Sequence, residues 1–249
     1  MLFLLFDGSR SCLSYTTLST VNLAMAVVSI NYLFMKTPEL YTCGINDICT
    51  VYIREIRQRQ PHGPYALGGW SVGSIFAFHI AKQLISAGES ITDLVLIDCP
   101  VPRGLDHLPR RYFEYCEQVG LLGTVNGVRR DPPPWLIPHF EACINSLHPY
   151  HATPIEPSCE APRTQIIWAG DAVDRHLEPK FERRPDDPEG LKFLTEARTD
   201  FGPCGWESLV PRTKMDIARI VDANHFSMMQ GDAARQLAAV MRRFLMDAK

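Results

Sequence analysis

The sequence lacks the charge excess that is typical of chains that bind nucleic acids. Its 249 residues include 25 Lys and Arg against 28 Asp and Glu, which gives a formal net charge of -3. Paired arginines occur at 110–111, 129–130, 183–184 and 242–243, far apart along the chain, and this pattern is typical of solvated surfaces. We therefore predict that the chain has no nucleic-acid partner.

The signs of a disulfide framework and of a membrane segment are also missing from the sequence. None of the eight cysteines forms a C-x-x-C pair, which in a domain of this size indicates reduced thiols. The longest apolar zone, 21–35, contains Asn22, Ser29 and Asn31 and is too short to cross a bilayer. The apolar start at 1–6 has neither a basic flank nor a cleavage site, so it does not resemble a signal peptide. We expect a cytoplasmic protein with no membrane association.

What the sequence does have is an alternation of strand and helix patterns. Short apolar runs predict buried parallel strands at 2–6, 26–30, 65–67, 94–97, 165–168 and 216–221. Apolar residues at helical spacing predict helices at 46–60, 75–86 and 233–246. This order is typical of a single α/β domain, here residues 1–249, built on a mostly parallel sheet. Two segments rich in Pro interrupt it, and we predict a helical lid at about 101–162 and a shorter insertion at about 176–212.

The strand at 65–67 leads into the most informative motif, Gly69-Trp70-Ser71-Val72-Gly73. The pattern G-x-S-x-G between a strand and a helix is the nucleophile elbow, in which a tight turn lifts a serine hydroxyl out of the sheet. The flanking positions are glycine because a Cβ there would strike the strand or the helix. The motif predicts Ser71 as a nucleophile.

A serine hydroxyl needs a base to take its proton, and His225 is the predicted base. It follows the last strand and precedes the final helix, so the order of serine and histidine is that of the α/β-hydrolase fold. The other seven histidines lie before the nucleophile strand, inside a helix, or in the two insertions: His62, His79, His107, His139, His148, His151 and His176.

The acid that completes the triad has more than one candidate. Asp98 ends the strand beside the nucleophile strand, and a carboxylate at the end of a buried strand needs a hydrogen-bond partner. Asp171 and Asp174 follow the next strand, which is the commoner position of the acid in this fold. Asp222 is too close to His225 along the chain. The residues favour Asp98 and leave Asp171 and Asp174 open.

The oxyanion hole requires two backbone N–H groups aimed at the developing charge. We expect one from Val72, directly after the nucleophile, and the other from Gly8 or Ser9 in the loop that follows the first strand. A simple turn at residues 7 and 8 would explain the same composition.

Several further segments resemble one family. These are RQPHGPY at 59–65 leading into GGWS at 68–71, LIDCP at 96–100, WLIPHF at 135–140, RTDFGP at 198–203 and ANHF at 223–226. Together they resemble the thioesterase/Claisen-cyclase domains of fungal non-reducing polyketide synthases, along residues 2–245. This chain departs from the family pattern at Arg10, where a glycine is usual, and at Cys99 and Cys204. The first departure lies in the loop from which one N–H of the oxyanion hole is expected.

The resemblance implies the acid, the partner and the reaction. In such domains the acid ends the strand after the elbow helix, which is Asp98 here. The implied substrate is a polyketide thioester on the phosphopantetheine arm of an acyl carrier protein, either free or in a parent synthase, with Arg110, Arg111, Arg129 and Arg130 as candidate contacts. The chain itself is expected to hold no cofactor or metal.

Two fates are open to the implied acyl-Ser71 intermediate, namely Claisen-type cyclisation and hydrolysis. Cyclisation needs a dry chamber. The aromatic residues expected to line it are Trp70, Tyr112, Phe113, Tyr115, Trp135 and Phe140. The alternatives are an editing thioesterase that acts in trans, a general carboxylesterase or, least favoured, a binding module without activity. The sequence leaves open whether this is a free-standing enzyme or part of a synthase.

Overall fold

A six-stranded parallel sheet forms the centre of the molecule. The computed structural model describes residues 1–8, 12–20, 23, 25–34, 36–122, 124–125, 128–129 and 131–247. In chain order the strands are β1 Leu2–Leu5, β2 Val27–Ile30, β3 Tyr65–Trp70, β4 Ile91–Ile97, β5 Thr124–Val125, β6 Val128–Arg129, β7 Arg163–Asp171 and β8 Met215–Asn224. The sheet order is β2-β1-β3-β4-β7-β8 and every pair in it is parallel. The predicted α/β architecture is confirmed.

Helices cover both faces of this sheet. They are α1 Thr16–Thr20, α2 Ile45–Arg59, α3 Val72–Ser86, α4 Arg110–Gln118, α5 Leu136–Leu147, α6 Glu189–Thr195 and α7 Gly231–Met246. On β1, Phe3 and Leu5 belong to the core formed with α2 and α3, whereas Leu2 and Leu4 belong to the core formed with α1 and α7. Because both faces are covered, the inner strands β1, β3 and β4 are mostly buried and apolar. That explains why short apolar runs predicted them.

The two Pro-rich segments lie between strands of the sheet. The segment between β4 and β7 contains α4, the two-stranded antiparallel hairpin β5–β6 and α5, and the segment between β7 and β8 contains α6. They share a small apolar core in which Phe181 packs on Tyr112 and Tyr115, with ring centroids 5.5 and 5.3 Å apart. The hairpin and the short helices α1 and α6 were not predicted, because each has too few residues to show a period.

Within the residues that the structure describes, every helix is too short or too polar to cross a lipid bilayer.

Candidate active site

The bend between β3 and α3 consists of one residue, Ser71. Its backbone lies at φ 56° and ψ -132°, a strained conformation for a residue with a side chain. A Cβ on Gly69 would lie 2.2 Å from the carbonyl carbon of Gly73, and a Cβ on Gly73 would lie 2.5 Å from the carbonyl oxygen of Phe6. Glycine is therefore required on both sides of Ser71 because backbone atoms occupy the space that any larger residue would need.

Two hydroxyl groups that the sequence analysis missed hold this bend in place. The Ser74 hydroxyl donates a hydrogen bond to the Gly69 carbonyl at 2.7 Å and accepts one from the Ile97 N–H at 3.1 Å. The Tyr15 hydroxyl accepts from the Trp70 N–H at 2.8 Å and donates to a carbonyl at the end of β1 at 2.7 Å. One sequence feature could have indicated Ser74, because it is a small polar residue in the first turn of a buried helix. No sequence feature indicates Tyr15, because it lies 55 positions before Trp70.

Ser71, His225 and Asp98 form one hydrogen-bonded chain at the carboxyl ends of the strands. His225 Nε2 lies 3.1 Å from Ser71 Oγ, and its Nδ1 lies 2.8 Å from Asp98 Oδ2. These distances are within the range expected between a nucleophile, its base and the group that orients the base. The structure thus brings together the three residues that the sequence reasoning selected, from elements up to 154 positions apart.

Asp98 is fully engaged by its surroundings. It is 1% exposed, and its Oδ1 accepts hydrogen bonds from the Ala169 N–H at 2.9 Å and from Arg198 Nη1 at 2.8 Å. Burial by itself would raise the pKa of this carboxyl. The hydrogen bond and charge of His225, the charge of Arg198 and the Ala169 N–H together outweigh burial and bring the pKa of Asp98 below its ordinary value. The group is therefore ionised at neutral pH.

The other candidate acids have different partners. Asp174 accepts a hydrogen bond from Arg183 Nη2 at 2.7 Å and one from the Phe181 N–H. Asp171 pairs with Arg175. Neither carboxylate is recorded in contact with His225, so among these candidates it is Asp98 that lies against the imidazole.

The predicted oxyanion donors are placed only in part. Val72 is the first residue of α3, so its N–H lies at the positive end of the helix dipole. Gly8 lies on the same cavity as Ser71, and a Cβ there would meet Phe140 Cε1 at 2.8 Å. Ser9 lies outside the described residues, as does Arg10, the departure noted above.

A mostly apolar cavity of about 120 Å³ opens onto Ser71 and His225. Of the aromatic residues expected there, Tyr112, Phe113 and Phe140 line it. Trp70, Tyr115 and Trp135 are not among its lining residues. Trp70 instead packs on His225 with ring centroids 5.2 Å apart, and Tyr115 and Trp135 belong to the small core shared by the two insertions.

The cavity also has walls that the sequence analysis did not anticipate. They come from the loop after β4, from α4 and α5, and from α6; the main ones are Leu105, Leu108, Cys116, Ile144, Phe193 and Leu194. Through Phe193, the second insertion contributes to the wall of the cavity. In the sequence, Phe193 is only an apolar residue in a short polar segment, and such a residue could equally anchor an ordinary loop.

The fold and the bend at Ser71 place the chain in the α/β-hydrolase class, and solved structures agree. The NocB thioesterase domain, solved in covalent complex with a fluorophosphonate nocardicin G analogue, matches with a TM-score of 0.67 at 19% identity, over 97% of this chain and 92% of that one. RedJ, a thioesterase of the prodiginine pathway in Streptomyces coelicolor, matches with a TM-score of 0.66 at 15% identity, over 97% and 84%. At such identities the match concerns the fold.

Sequence comparison identifies the family within that class. A family model described as "Thioesterase domain" matches residues 12–118. The non-reducing polyketide synthase pks27 of Aspergillus flavus is 67% identical over 98% of this chain, and terA of Aspergillus terreus is 43% identical over 98%. The chain spans 12% of the length of each of these synthases. The family that matches this chain is therefore that of thioesterase domains, as its motifs predicted, and these similarities indicate a hydrolase-type enzyme.

Proposed function

We propose that this chain releases a polyketide from the phosphopantetheine arm of an acyl carrier protein through an acyl-Ser71 intermediate. The observation that carries the proposal is the hydrogen-bonded chain from Ser71 through His225 to Asp98 in the wall of an apolar cavity. Identity to fungal non-reducing polyketide synthases over nearly the whole chain supports the choice of acyl group.

The first half of the proposed reaction transfers the acyl group to the enzyme. His225 Nε2 takes the proton of Ser71 Oγ as the oxygen attacks the thioester carbonyl. The negative charge on the carbonyl oxygen is stabilised by the N–H of Val72 and a second N–H from the loop around Gly8. When the C–S bond breaks, His225 returns the proton to the leaving thiol. Asp98 keeps the imidazole in the tautomer that has its free nitrogen towards Ser71.

The second half has two outcomes. In hydrolysis, His225 deprotonates a water molecule that attacks the acyl carbon. The bond to Ser71 Oγ breaks, His225 returns the proton to that oxygen, and the product is a carboxylic acid. In cyclisation, His225 removes a proton from an activated carbon of the chain itself. The resulting carbanion attacks the acyl carbonyl, a C–C bond forms, the bond to Ser71 Oγ breaks, and the proton returns to that oxygen. Neither route uses a cofactor bound by this chain.

The walls of the cavity suit the cyclising outcome chemically, because apolar side chains exclude the water that competes for the acyl-enzyme. Its volume of about 120 Å³ is well below the roughly 300–1,000 Å³ of sites for larger ligands. A long polyketide therefore needs more space than the cavity has in this conformation.

Of the arginines proposed to contact the carrier protein, two have described side chains. Arg111 is tied to Asp187 and is half-buried, so it is engaged within the fold. Arg110 is exposed and pairs with Glu114 in solvent, which contributes little to stability and leaves its charge accessible to an acidic partner. Arg110 is the stronger of the two candidates.

The test is incubation with a polyketide N-acetylcysteamine thioester, followed by mass analysis of products and of intact protein. Cyclisation gives a product equal to the substrate minus the thiol, and hydrolysis adds one water to that mass. Ser71→Ala is expected to release no product and to carry no acyl adduct. Ser158→Ala is the matched control, since Ser158 is exposed in a turn and does not line the cavity. Release by Ser71→Ala at the wild-type rate would refute the acyl-enzyme.

A second candidate is an editing thioesterase that clears short acyl groups, and the small cavity favours it. This function would be established if the enzyme turned over acetyl and butyryl carrier thioesters faster than long-chain ones. Faster turnover of p-nitrophenyl esters than of carrier-bound thioesters would instead indicate a general carboxylesterase. Failure of a fluorophosphonate to label Ser71 would indicate a binding module without activity.

A further inference from the structure

A largely buried arginine contacts the triad from the second insertion. Arg198 lies three positions after the end of α6, and its Nη1 is 2.8 Å from Asp98 Oδ1. Its side chain is 14% exposed, and that of Asp98 is 1% exposed. Among the described residues, Arg198 is the only Lys or Arg recorded within salt-bridge distance of Asp98. The RTDFGP segment that begins with Arg198 was noted in the sequence, but it had no assigned role.

Two aromatic rings fix the position of this guanidinium. Its central carbon lies 4.6 Å from the ring centroid of Trp168 on β7 and 4.3 Å from that of Phe193 on α6. A planar guanidinium stacks on aromatic faces and keeps its N–H groups free to bond at the edge, which an ammonium group cannot do. Phe193 also lines the cavity beside Ser71. The second insertion therefore contacts both the cavity wall and the triad through this stacked pair.

From this geometry we infer that Arg198 is a positioning residue, which fixes the carboxylate of Asp98 against His225 and couples the second insertion to the triad. The inference rests on the proposed function, since it assigns Arg198 a part in that reaction. Arg198 and the Ala169 N–H occupy Oδ1, so that Oδ2 is the oxygen left for His225. Without the guanidinium, Oδ1 retains a single partner, the Ala169 N–H, and the carboxylate is held less firmly in its orientation towards His225.

The charge of Arg198 has a separate consequence for the protonation of Asp98. The titratable or charged groups that face Asp98 are His225 after β8, Arg198 from the insertion and the adjacent Cys99. Burial raises the pKa of Cys99, so that thiol stays neutral. Arg198 is thus the positive charge that helps to keep the pKa of Asp98 below its ordinary value. Its removal raises the pKa of Asp98, and the acidic limb of kcat/KM against pH then moves to higher pH.

Two variants separate geometry from charge. Arg198→Gln is expected to lower kcat for hexanoyl N-acetylcysteamine thioester by about 10- to 100-fold. It is also expected to move the acidic limb of kcat/KM upward by about one pH unit. Arg198→Lys keeps the charge and loses the planar stacking, so its acidic limb stays at the wild-type pH while kcat still falls. Rates are expressed per site labelled by a fluorophosphonate, so that only folded sites are counted.

Arg219→Gln is the matched control. Arg219 stacks over Phe201 at 4.1 Å and donates to the Gly170 carbonyl, so it is a neighbouring stacked arginine without a recorded contact to Asp98. We expect it to leave kcat and the acidic limb unchanged. If Arg198→Gln does not accumulate as folded protein, Arg198→Lys provides the test. A lowered kcat with the acidic limb of kcat/KM at the wild-type pH supports the inference, and a wild-type kcat overturns it.

The outcomes also separate this inference from the proposed function. A wild-type protein that neither takes up the fluorophosphonate at Ser71 nor turns over the thioester refutes both. A wild-type protein that does both, together with an Arg198→Gln variant of wild-type kcat and unmoved acidic limb, refutes the positioning role alone.

Discussion

Replacing Asp98 by Asn tests the proposed triad most directly, because it changes one atom at the hydrogen bond to His225. The amide oxygen of the new side chain would take the position that accepts from Ala169 and Arg198, since both are donors. The amide NH2 would then face His225 Nδ1, at the place where Oδ2 of Asp98 now lies at 2.8 Å. Nδ1 would have to become an acceptor, and the ring proton would move to Nε2. With a proton there, the imidazole cannot accept one from Ser71.

The size of the effect follows from this tautomer change. In a serine triad, the same exchange lowers kcat by about 10⁴-fold. That ratio corresponds to about 5.5 kcal/mol of transition-state stabilisation. We expect a loss of this order here. Arg198 would in addition lose its ionic partner while largely buried, so the variant should also be less stable, by about 3 kcal/mol or more.

The assay is steady-state release of hexanoate from its N-acetylcysteamine thioester, per folded molecule judged by thermal denaturation. Asp174→Asn is the matched control, because Asp174 is also buried and also pairs with an arginine but has no recorded contact with His225. We expect it to cost stability and to keep kcat within about threefold of wild type, since it leaves the triad in place. If Asp174→Asn lowered kcat more than Asp98→Asn, the assignment of the acid would be wrong.

Three further expectations concern the stability of the bend and of the site. Gly73→Ala places a Cβ 2.5 Å from the carbonyl oxygen of Phe6. It is expected to lower the free energy of unfolding by about 1–3 kcal/mol and to reduce fluorophosphonate labelling. A variant of wild-type stability would contradict the claim that the turn has no room for a side chain at this position. Gly44→Ala is its control, because nothing lies within 4 Å of the added Cβ. Tyr15→Phe removes a hydroxyl that bonds both β1 and β3 and should cost about 1–3 kcal/mol in urea denaturation; an unchanged midpoint would show that water replaces it. Since the pKa of Asp98 is lowered in the fold, its ionised form stabilises the protein above the ordinary carboxyl pKa, and this contribution is lost as the pH falls through the folded value. Asp98→Asn should therefore flatten the acidic side of the stability profile, and a profile parallel to that of wild type would contradict this.

The secondary structure was predictable where an element was long enough to show its apolar periodicity, or where a strand was completely buried. The strand predicted at 216–221 is the core of β8, and the helix predicted at 75–86 is the body of α3, which begins three residues earlier at Val72. The prediction missed that start because only Ser71 separates the strand from the helix, and this serine, taken as the nucleophile, is also the N-cap residue of α3. The helix α6, seven residues long, was missed because it spans less than two full periods.

The side chains around the cavity were only partly predictable. Tyr112 and Tyr115 both lie on α4 and are both aromatic, yet only Tyr112 lines the cavity. Three positions along a helix turn the side chain by about 300°, so the direction of each depends on how α4 is rotated against the sheet. No local pattern specifies that rotation. It is set by contacts with Phe181 in the second insertion.

The amino-acid sequence alone determined the nucleophile and its bend, because the elbow is made by neighbouring residues. Gly69 and Gly73 leave room for the turn, and Ser71 takes the one position that is lifted from the sheet. Only the tertiary structure decided which carboxylate contacts His225 and that Arg198 donates a hydrogen bond to the same carboxylate. Those contacts join residues 100 or more positions apart, and the packing of strand ends and insertions, rather than any local pattern, sets the distances between them.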